Sequence, residues 1–257
     1  MNKIGLVLSG GGARGFAHLG LLKAMDELAV KPYAISGVSV GAVLGALYAE
    51  GKSTDEILAL TKGNSYFGFS NLLWRKAGFF SMEAIRQLLL ENIPHNSFEG
   101  LKLPLFVNAT DFTHNKAIFF SAGELVPCLV ASASVPVLFN SVEMDSHTLV
   151  DGALLNNLPV EPLMTICDKI IGSHVNKLEE ISSVSMRLSK LAVLERCFHM
   201  SIANSVYSRG QHCDLFMEPE LFNFGMFDTK NADTIFEIGY RHAMKEKEKI
   251  LALQESD

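Results

Sequence analysis

The chain has 257 residues, of which 48% are hydrophobic and 19% charged, and its formal net charge is −6 at pH 7. This composition predicts a packed globular core and excludes wholesale disorder. The acidic balance argues against a nucleic-acid binder, a class that usually carries a basic excess. Without repeats or a Pro-, Gly- or Ser-rich linker, we expect a single domain over residues 1–257.

The first half of the chain alternates between strand and helix patterns. An apolar run over residues 3–8 predicts a strand, and a helix from Ala17 to Leu28 follows it. A second strand, Tyr33 to Ser36, leads through the sequence GVSVG into an apolar helix from Val40 to Glu50. Gly51 is a suitable C-terminal cap for that helix.

The alternation continues through the rest of the chain. Ser53 and Glu56 form a capping box at the start of a short helix. Residues 103–111 and 117–121 predict two strands that are joined as a hairpin at THNK. Further strands are expected to end at Asp151 and His174, with helices over about 184–210 and 231–253. Strands alternating with helices predict an α/β architecture around a largely buried sheet.

Nothing in the sequence predicts a membrane span or an oxidising compartment. The uncharged stretch over residues 125–142 contains Pro127, Pro136 and several serines, so we interpret it as buried core. The cysteines form no C-x-x-C pair, which favours reduced, mostly buried thiols over a metal or disulfide site. They are Cys128, Cys167, Cys197 and Cys213. With no secretory leader visible, we expect a cytoplasmic protein.

The loop after the first strand reads SGGGARG and permits two interpretations. Gly10, Gly12 and Gly15 satisfy the dinucleotide-binding pattern G-x-G-x-x-G. That interpretation requires an acidic residue at the end of the second strand, about 20 residues on, but this strand ends in Ser36 and Gly37. We therefore favour a loop whose backbone N–H groups face a developing oxyanion, and we expect no nucleotide cofactor.

The sequence GVSVG, residues 37–41, matches the nucleophile elbow G-x-S-x-G. An apolar strand precedes it and an apolar helix follows it, as the elbow requires. The small flanking residues allow a tight, strained turn, and the helix N-terminus favours negative charge near Ser39. We therefore predict that Ser39 is a catalytic nucleophile rather than part of a structural turn.

A serine nucleophile needs a neighbouring group that accepts its proton. No histidine lies in a motif that marks it, and His18, just after the glycine loop, is expected to be structural. Asp151 ends a strand and is followed by Gly152 and Ala153, which permit close backbone approach. The residues alone leave open whether this aspartate is a base or an Asx-type turn. Asp111, at the end of VNATD, is favoured as structural over a position in the cleft.

GGGARG, GVSVG and DGA, in that order, resemble the motifs of the patatin-like phospholipase family. The resemblance extends through AHLGLLKAM, ASASVPVLF, NNLPVEPL and GYRHAMKEKEKI, and so covers essentially the whole chain. It implies a three-layer α/β/α fold with a central, mostly parallel mixed sheet. It also implies a Ser–Asp dyad without histidine, in which Ser39 is the nucleophile and Asp151 the base. The implied oxyanion loop comprises Gly10, Gly11, Gly12, Ala13 and Arg14.

The implied activity is hydrolysis of the carboxylic ester bonds of phospholipids, lysophospholipids or simpler lipid esters through an acyl-enzyme. An acyltransferase or thioesterase on the same dyad, or a catalytically idle lipid-binding protein, are the alternatives. No metal-ligand cluster is evident and no cofactor is expected. The departures at Val38, Ser141 and Ala153 are expected to alter pocket shape rather than competence. Burial would raise the pKa of Asp151 and make it a better base.

Residues 66–80, YFGFSNLLWRKAGFF, concentrate aromatic side chains around Trp74, Arg75 and Lys76. Such a segment could line an acyl cleft or touch a membrane surface peripherally. The alternative is a loop-and-helix cap that buries these rings on the core, and the sequence leaves both open.

Overall fold

The computed structural model describes residues 1–62, 82–178 and 190–255, and its strands form one central sheet. The strands are β1 (Ile4–Leu8), β2 (Ala34–Val38), β3 (Leu105–Asp111), β4 (Lys116–Phe120), β5 (Val142–Met144), β6 (His147–Asp151), β7 (Lys169–Ser173) and β8 (Leu215–Met217). The helices are α1 (Phe16–Glu27), α2 (Val40–Ala49), α3 (Thr54–Lys62), α4 (Met82–Asn92), α5 (Leu125–Ser132), α6 (Lys190–Gly210), α7 (Ala232–Lys245) and α8 (Lys247–Ala252). The aromatic segment over 66–80 lies outside the described residues, as does the beginning of the helix predicted over 184–210.

The sheet is mixed and mostly parallel. Its strand order is β5-β6-β3-β2-β1-β7-β8, and β4 pairs with β3 off this path. The strands from β3 to β8 along this order are parallel, whereas β4, β5 and β6 pair antiparallel. β1 and β2 are buried at every position, because parallel strands are covered on both faces. The predicted sheet type is confirmed.

Helices cover the two faces of the sheet and produce three layers. Leu6 and Leu8 of β1 pack on one face with residues of α1, α2 and α7. Val7 packs on the other face with Leu163 and with Val206 of α6. Because side chains alternate along a strand, the continuous apolar run of β1 contributes to both cores. The predicted α/β/α arrangement is therefore confirmed.

Most predicted elements lie within a few residues of their positions in the structure. β2 continues to Val38, beyond its predicted end, because it pairs with β3 as far as Asn108. The helix predicted over residues 231–253 is divided into α7 and α8. At the division, the N–H of Glu246 bonds to the carbonyl of Ala243 at 3.0 Å, a tighter turn that interrupts the α-helical ladder.

The uncharged stretch over residues 125–142 is mostly buried as far as residue 134, but its second part, residues 135–142, is partly buried or exposed, so the prediction of buried core is wrong for that part. Its first part is α5, whose Ala131 packs with Ala109 of β3 and Leu149 of β6. None of the helices in the described ranges combines the length and apolar composition that a bilayer span requires.

Candidate active site

The sheet brings the ends of β2 and β6 close together, because both strands pair with β3. β2 runs parallel to β3 and ends with Val38 opposite Asn108, whereas β6 runs antiparallel and ends with Asp151 opposite Ala109. Some of the β3 residues that pair with β2, and those that pair with β6, also pair with β4. β4 must therefore lie on the edge of β3 opposite to β2 and β6. β2 and β6 therefore share one edge and converge from opposite directions, which places Asp151 beside the residue that follows β2, Ser39.

Ser39 lies in a strained turn between β2 and α2. Its backbone angles are φ 54° and ψ −129°, a region that residues other than glycine rarely adopt. Glycines on both sides permit the turn: a Cβ on Gly37 would lie 2.8 Å from Ala42, and one on Gly41 would lie 2.4 Å from the carbonyl oxygen of Leu8. The serine side chain consequently projects from the N-terminus of α2, where the helix dipole favours negative charge.

Asp151 is buried, and its carboxyl group lies close enough to Ser39 for the serine side chain to influence its pKa. Oδ1 of Asp151 accepts the N–H of Ala153 at 2.8 Å. Burial raises the pKa of Asp151 to about 6, and the interactions with Ala153 and Ser39 oppose the rise without cancelling it. The structure thus places at Ser39 a carboxyl group that exchanges its proton close to neutral pH. Asp151 also shows the Asx-type contact that the sequence left as an alternative.

The glycine loop lies against this pair, and its N–H groups have different uses. A Cβ on Gly10 would be 3.2 Å from the Cβ of Ser39, but its N–H is donated to Oδ1 of Asn157 at 2.9 Å. The N–H of Ala13 bonds to the carbonyl of Met226, and that of Arg14 bonds within the loop. In the part of the chain that the structure describes, the N–H groups of Gly11 and Gly12 have no acceptor.

Arg14 braces the glycine loop from outside the cavity. Its Nε donates to the carbonyl of Phe224 at 2.7 Å, and its Nη1 donates to Oδ1 of Asn176 at 3.2 Å. Asn176 in turn donates from Nδ2 to the carbonyl of Gly10 at 2.6 Å. The guanidinium therefore fixes the loop through Asn176, and the residues that line the cavity in the described chain do not include Arg14.

His18 is structural, as its position suggested. Its Nε2 lies 2.9 Å from the carbonyl oxygen of Ser9, which can only accept, so Nε2 carries the proton and Nδ1 accepts the hydroxyl of Ser173 at 2.9 Å. Burial lowers the pKa of His18 to about 4, so the ring is neutral at physiological pH.

A cavity of about 270 Å³ opens at Ser39 and Asp151, and most of its wall is apolar. Among its lining residues are Phe16, Val43, Leu44, Ile85, Leu138 and Phe139. The lining also includes His199 of α6, whose pKa burial lowers to about 3, with Arg14 and His174 adding to the effect. His199 carries no local motif, so only the packing of α6 reveals its position.

The profile of the family described as Patatin-like phospholipase matches residues 6–164. The chain belongs to the patatin-like phospholipase family. The protein called Lysophospholipase nte1 of Emericella nidulans is 24% identical over 96% of this chain, which spans 18% of that protein. An uncharacterized NTE family protein of Mycobacterium tuberculosis is 32% identical over 69% of the chain and 50% of its own length. The chain therefore spans half or less of these relatives.

A crystal structure supports the same fold. VipD of Legionella pneumophila aligns with 96% of this chain and 67% of its own, with a TM-score of 0.57 and 16% sequence identity. At that level of identity the likeness concerns the fold alone.

The departures from the patatin-like pattern affect the cavity at one position. Ala153 lines it. Val38 is fully buried in the sheet and Ser141 is exposed, and neither belongs to the described residues that line the cavity.

The described residues contain one group of three side chains that could hold a metal ion, and it lies outside this cavity. It consists of Asp111, His114 and His147. Asp111 therefore belongs to a separate cluster rather than to the cleft, as the sequence favoured.

Proposed function

We propose that this patatin-like protein is a serine acyl hydrolase that cleaves the carboxylic ester bonds of phospholipids, lysophospholipids or simpler lipid esters. The observation that carries the proposal is the position of Ser39 beside the buried carboxyl group of Asp151, with both residues in the wall of an apolar cavity. Membership of the family and a relative named as a lysophospholipase favour a lipid ester as substrate.

The proposed reaction has two stages. In the first, Oγ of Ser39 attacks the ester carbonyl carbon and its proton passes to Asp151. The tetrahedral intermediate collapses to an acyl-enzyme, and the departing alkoxide takes that proton and leaves as an alcohol. In the second, Asp151 accepts a proton from water, the hydroxide attacks the acyl group, and the fatty acid departs while Ser39 regains its proton.

An aspartate can serve as this base without a histidine because of its environment. An exposed carboxyl group, with a pKa of about 3.9, is too weak a base to deprotonate a serine efficiently. The raised pKa of Asp151, about 6, reduces that mismatch while leaving the group ionised at neutral pH. The N-terminus of α2 further favours the developing alkoxide.

The oxyanion is assigned to the N–H groups of Gly11 and Gly12. Both lie in the cavity wall and neither has an acceptor among the described residues. One such donor contributes roughly 3 kcal/mol to transition-state stabilisation. Gly10, Ala13 and Arg14 support the loop, because their N–H groups are engaged within the protein.

The substrate reaches this site from a lipid surface, and the protein associates with membranes peripherally from the cytoplasm. Val137 supports this part of the proposal, since it lines the cavity and is 90% exposed. An exposed apolar residue at a cavity mouth is suited to contact with acyl chains. Residues 66–80 are the second proposed contact, from the sequence alone.

Labelling with a fluorophosphonate probe, combined with acyl-ester profiling, tests the proposal. We expect the wild type to gain one covalent phosphonyl group and to hydrolyse lipid esters. Ser39→Ala should do neither, and Asp151→Asn should lose turnover while remaining folded. Ser208→Ala, which removes an exposed serine of α6, is the matched control and should behave as wild type.

Two results would contradict the proposal. Labelling that persists in Ser39→Ala would exclude this nucleophile. Substantial turnover by Asp151→Asn would assign the base to another group, and His199 would be the first to examine because it lines the same cavity.

A further inference from the structure

A second cluster of ionisable side chains lies where three elements meet at the end of β3. Asp111 is the last residue of β3 and is opposite Lys116 of β4 and Leu149 of β6. His114 belongs to the turn between β3 and β4, and His147 is the first residue of β6. Because His147 is far along the chain from Asp111 and His114, the spacing in the sequence does not mark the three residues as a group.

The two imidazoles converge on one carboxylate oxygen. Nδ1 of His114 lies 2.8 Å from Oδ2 of Asp111, and Nδ1 of His147 lies 2.7 Å from the same oxygen. The rings meet edge to face with their centroids 5.2 Å apart. The other carboxylate oxygen, Oδ1, accepts the backbone N–H of His114 at 3.1 Å, which fixes the orientation of the carboxylate.

The cluster combines a buried anion with an open outer side. The side chain of Asp111 is fully buried, whereas those of His114 and His147 are 48% and 33% exposed. A fully buried carboxylate requires cationic or polar partners, and solvent can reach the two histidines from outside.

We propose that Asp111, His114 and His147 bind a divalent transition-metal ion of the Zn²⁺ type. Two imidazole nitrogens and one carboxylate oxygen suit Zn²⁺ and its first-row neighbours, whereas Ca²⁺ and Mg²⁺ prefer oxygen ligands alone. Three protein ligands leave a fourth tetrahedral position for water, which the exposed side of the two rings can admit. Metal binding by these three residues does not depend on the proposed acyl hydrolase activity.

Metal binding requires a small rearrangement and a proton shift. With bonds of about 2.0–2.1 Å, tetrahedral ligand atoms lie roughly 3.3 Å apart, so the present contacts must open by about half an ångström. Each Nδ1 must then present its lone pair to the ion. In a neutral ring, the Nδ1 proton that is shared with Asp111 moves to Nε2. In a charged ring, that proton is released to solvent. Two partly exposed imidazoles can make this adjustment while the carboxylate stays in place.

The bound ion would join the β3–β4 turn to the start of β6. That strand ends at Asp151, which lies beside Ser39. The site therefore stabilises the strand that carries the proposed base, from the end opposite to the base. We expect a structural effect on β6 and no direct contact of the ion with substrate.

The metal alone is the probe for this site. The full chain, freed of metal, is titrated with Zn²⁺ against a chromophoric chelator, and Co²⁺ is used for its visible absorption bands. Cys197→Ser is the background for every protein in the series, because it removes an exposed thiol that could compete for the ion. Thermal unfolding shows that each variant is folded and whether Zn²⁺ raises its Tm.

The expected result is one bound ion per chain in the Cys197→Ser protein. His114→Ala and His147→Ala should each weaken binding by at least about 10-fold, since each removes a direct ligand, and should lose the rise in Tm. His212→Ala, an exposed histidine that precedes β8 near the other end of the sheet, is the matched control and should bind normally. Failure of the Cys197→Ser protein to bind one equivalent, or binding equally tight in both ligand variants, would overturn the proposal.

Discussion

The hydroxyl of Ser132 accepts the backbone N–H of Ser39 at 2.9 Å. The same hydroxyl donates to the carbonyl of Asn108 at 2.6 Å. Ser132 is the last residue of α5 and is fully buried, so it ties the strained turn of the nucleophile to β3. The sequence contained no signal for this role.

Replacement of Ser132 should disturb the elbow. Ser132→Ala leaves the N–H of Ser39 and the carbonyl of Asn108 without this partner inside the protein, which costs about 1–3 kcal/mol per unsatisfied group. We expect a lower free energy of unfolding in urea and a lower kcat on a soluble ester. Ser134→Ala is the control, because among the described residues that hydroxyl donates to the carbonyl of Val130, four residues earlier in the chain. Equal effects of the two substitutions would contradict a specific role for Ser132.

The pH dependence of catalysis should report Asp151. Only the ionised carboxyl can accept the proton of Ser39, and its pKa is raised to about 6. We expect kcat/KM to be level above that pH and to fall roughly tenfold per unit well below it. His199→Gln should leave this limb in place, because the pKa of His199 is lowered to about 3. A limb that disappears in His199→Gln would assign the titration to the histidine.

Asp151 should also destabilise the folded protein at neutral pH. The pKa of its carboxyl group is about 6 in the folded chain, whereas the ordinary pKa of this group is 3.8. The folded state therefore holds this proton more tightly, so stability decreases as the pH rises from about 4 to about 6 and stays lower above that range. The loss is up to about 3 kcal/mol.

Asp151→Asn should consequently raise the free energy of unfolding at pH 8 relative to wild type, and much less at pH 4. The asparagine oxygen can still accept the N–H of Ala153, so the local contact is retained. The exposed Asp145→Asn is the control and should have little effect at either pH. Denaturant unfolding at both pH values measures the difference, and a variant less stable than wild type at pH 8 would contradict the expectation.

A side chain at Gly12 should damage the proposed oxyanion loop. Gly12 has φ 58°, and a Cβ there would lie 2.2 Å from the carbonyl oxygen of Met226. Because that carbonyl also accepts the N–H of Ala13, Gly12→Ala should displace the loop and lower kcat by about 10²–10³-fold. Gly123→Ala, at φ 78° with open space around it, controls for backbone strain alone. It should lose some stability and retain kcat.

The exposed side chain of Val137 should matter only on lipid surfaces. Its φ of 73° is unfavourable for a β-branched residue, and asparagine tolerates this region better. Val137→Asn should therefore fold well but lose several-fold in turnover on phospholipid vesicles, with little change on a soluble short-chain ester. Val193→Asn, which replaces an exposed valine of α6, is the control. Unchanged turnover on vesicles would argue against lipid contact at Val137.

The sequence alone predicted the features that depend on neighbouring residues. The capping box is present, with Oγ of Ser53 accepting the N–H of Glu56 and the Glu56 carboxylate accepting the N–H of Ser53. The G-x-S-x-G turn between an apolar strand and an apolar helix is likewise present at Ser39. These signals suffice because capping, turn sterics and strand burial are decided within a few residues.

The tertiary structure alone decided which distant groups meet. Asp151 reaches Ser39 because β2 and β6 share one edge of β3, and Asp111 joins two histidines because β4 and β6 both begin beside it. It also decided that the N–H groups of Gly10 and Ala13 are engaged. Strand order, register and partner choice depend on packing the whole chain around one core, and no local pattern carries that information.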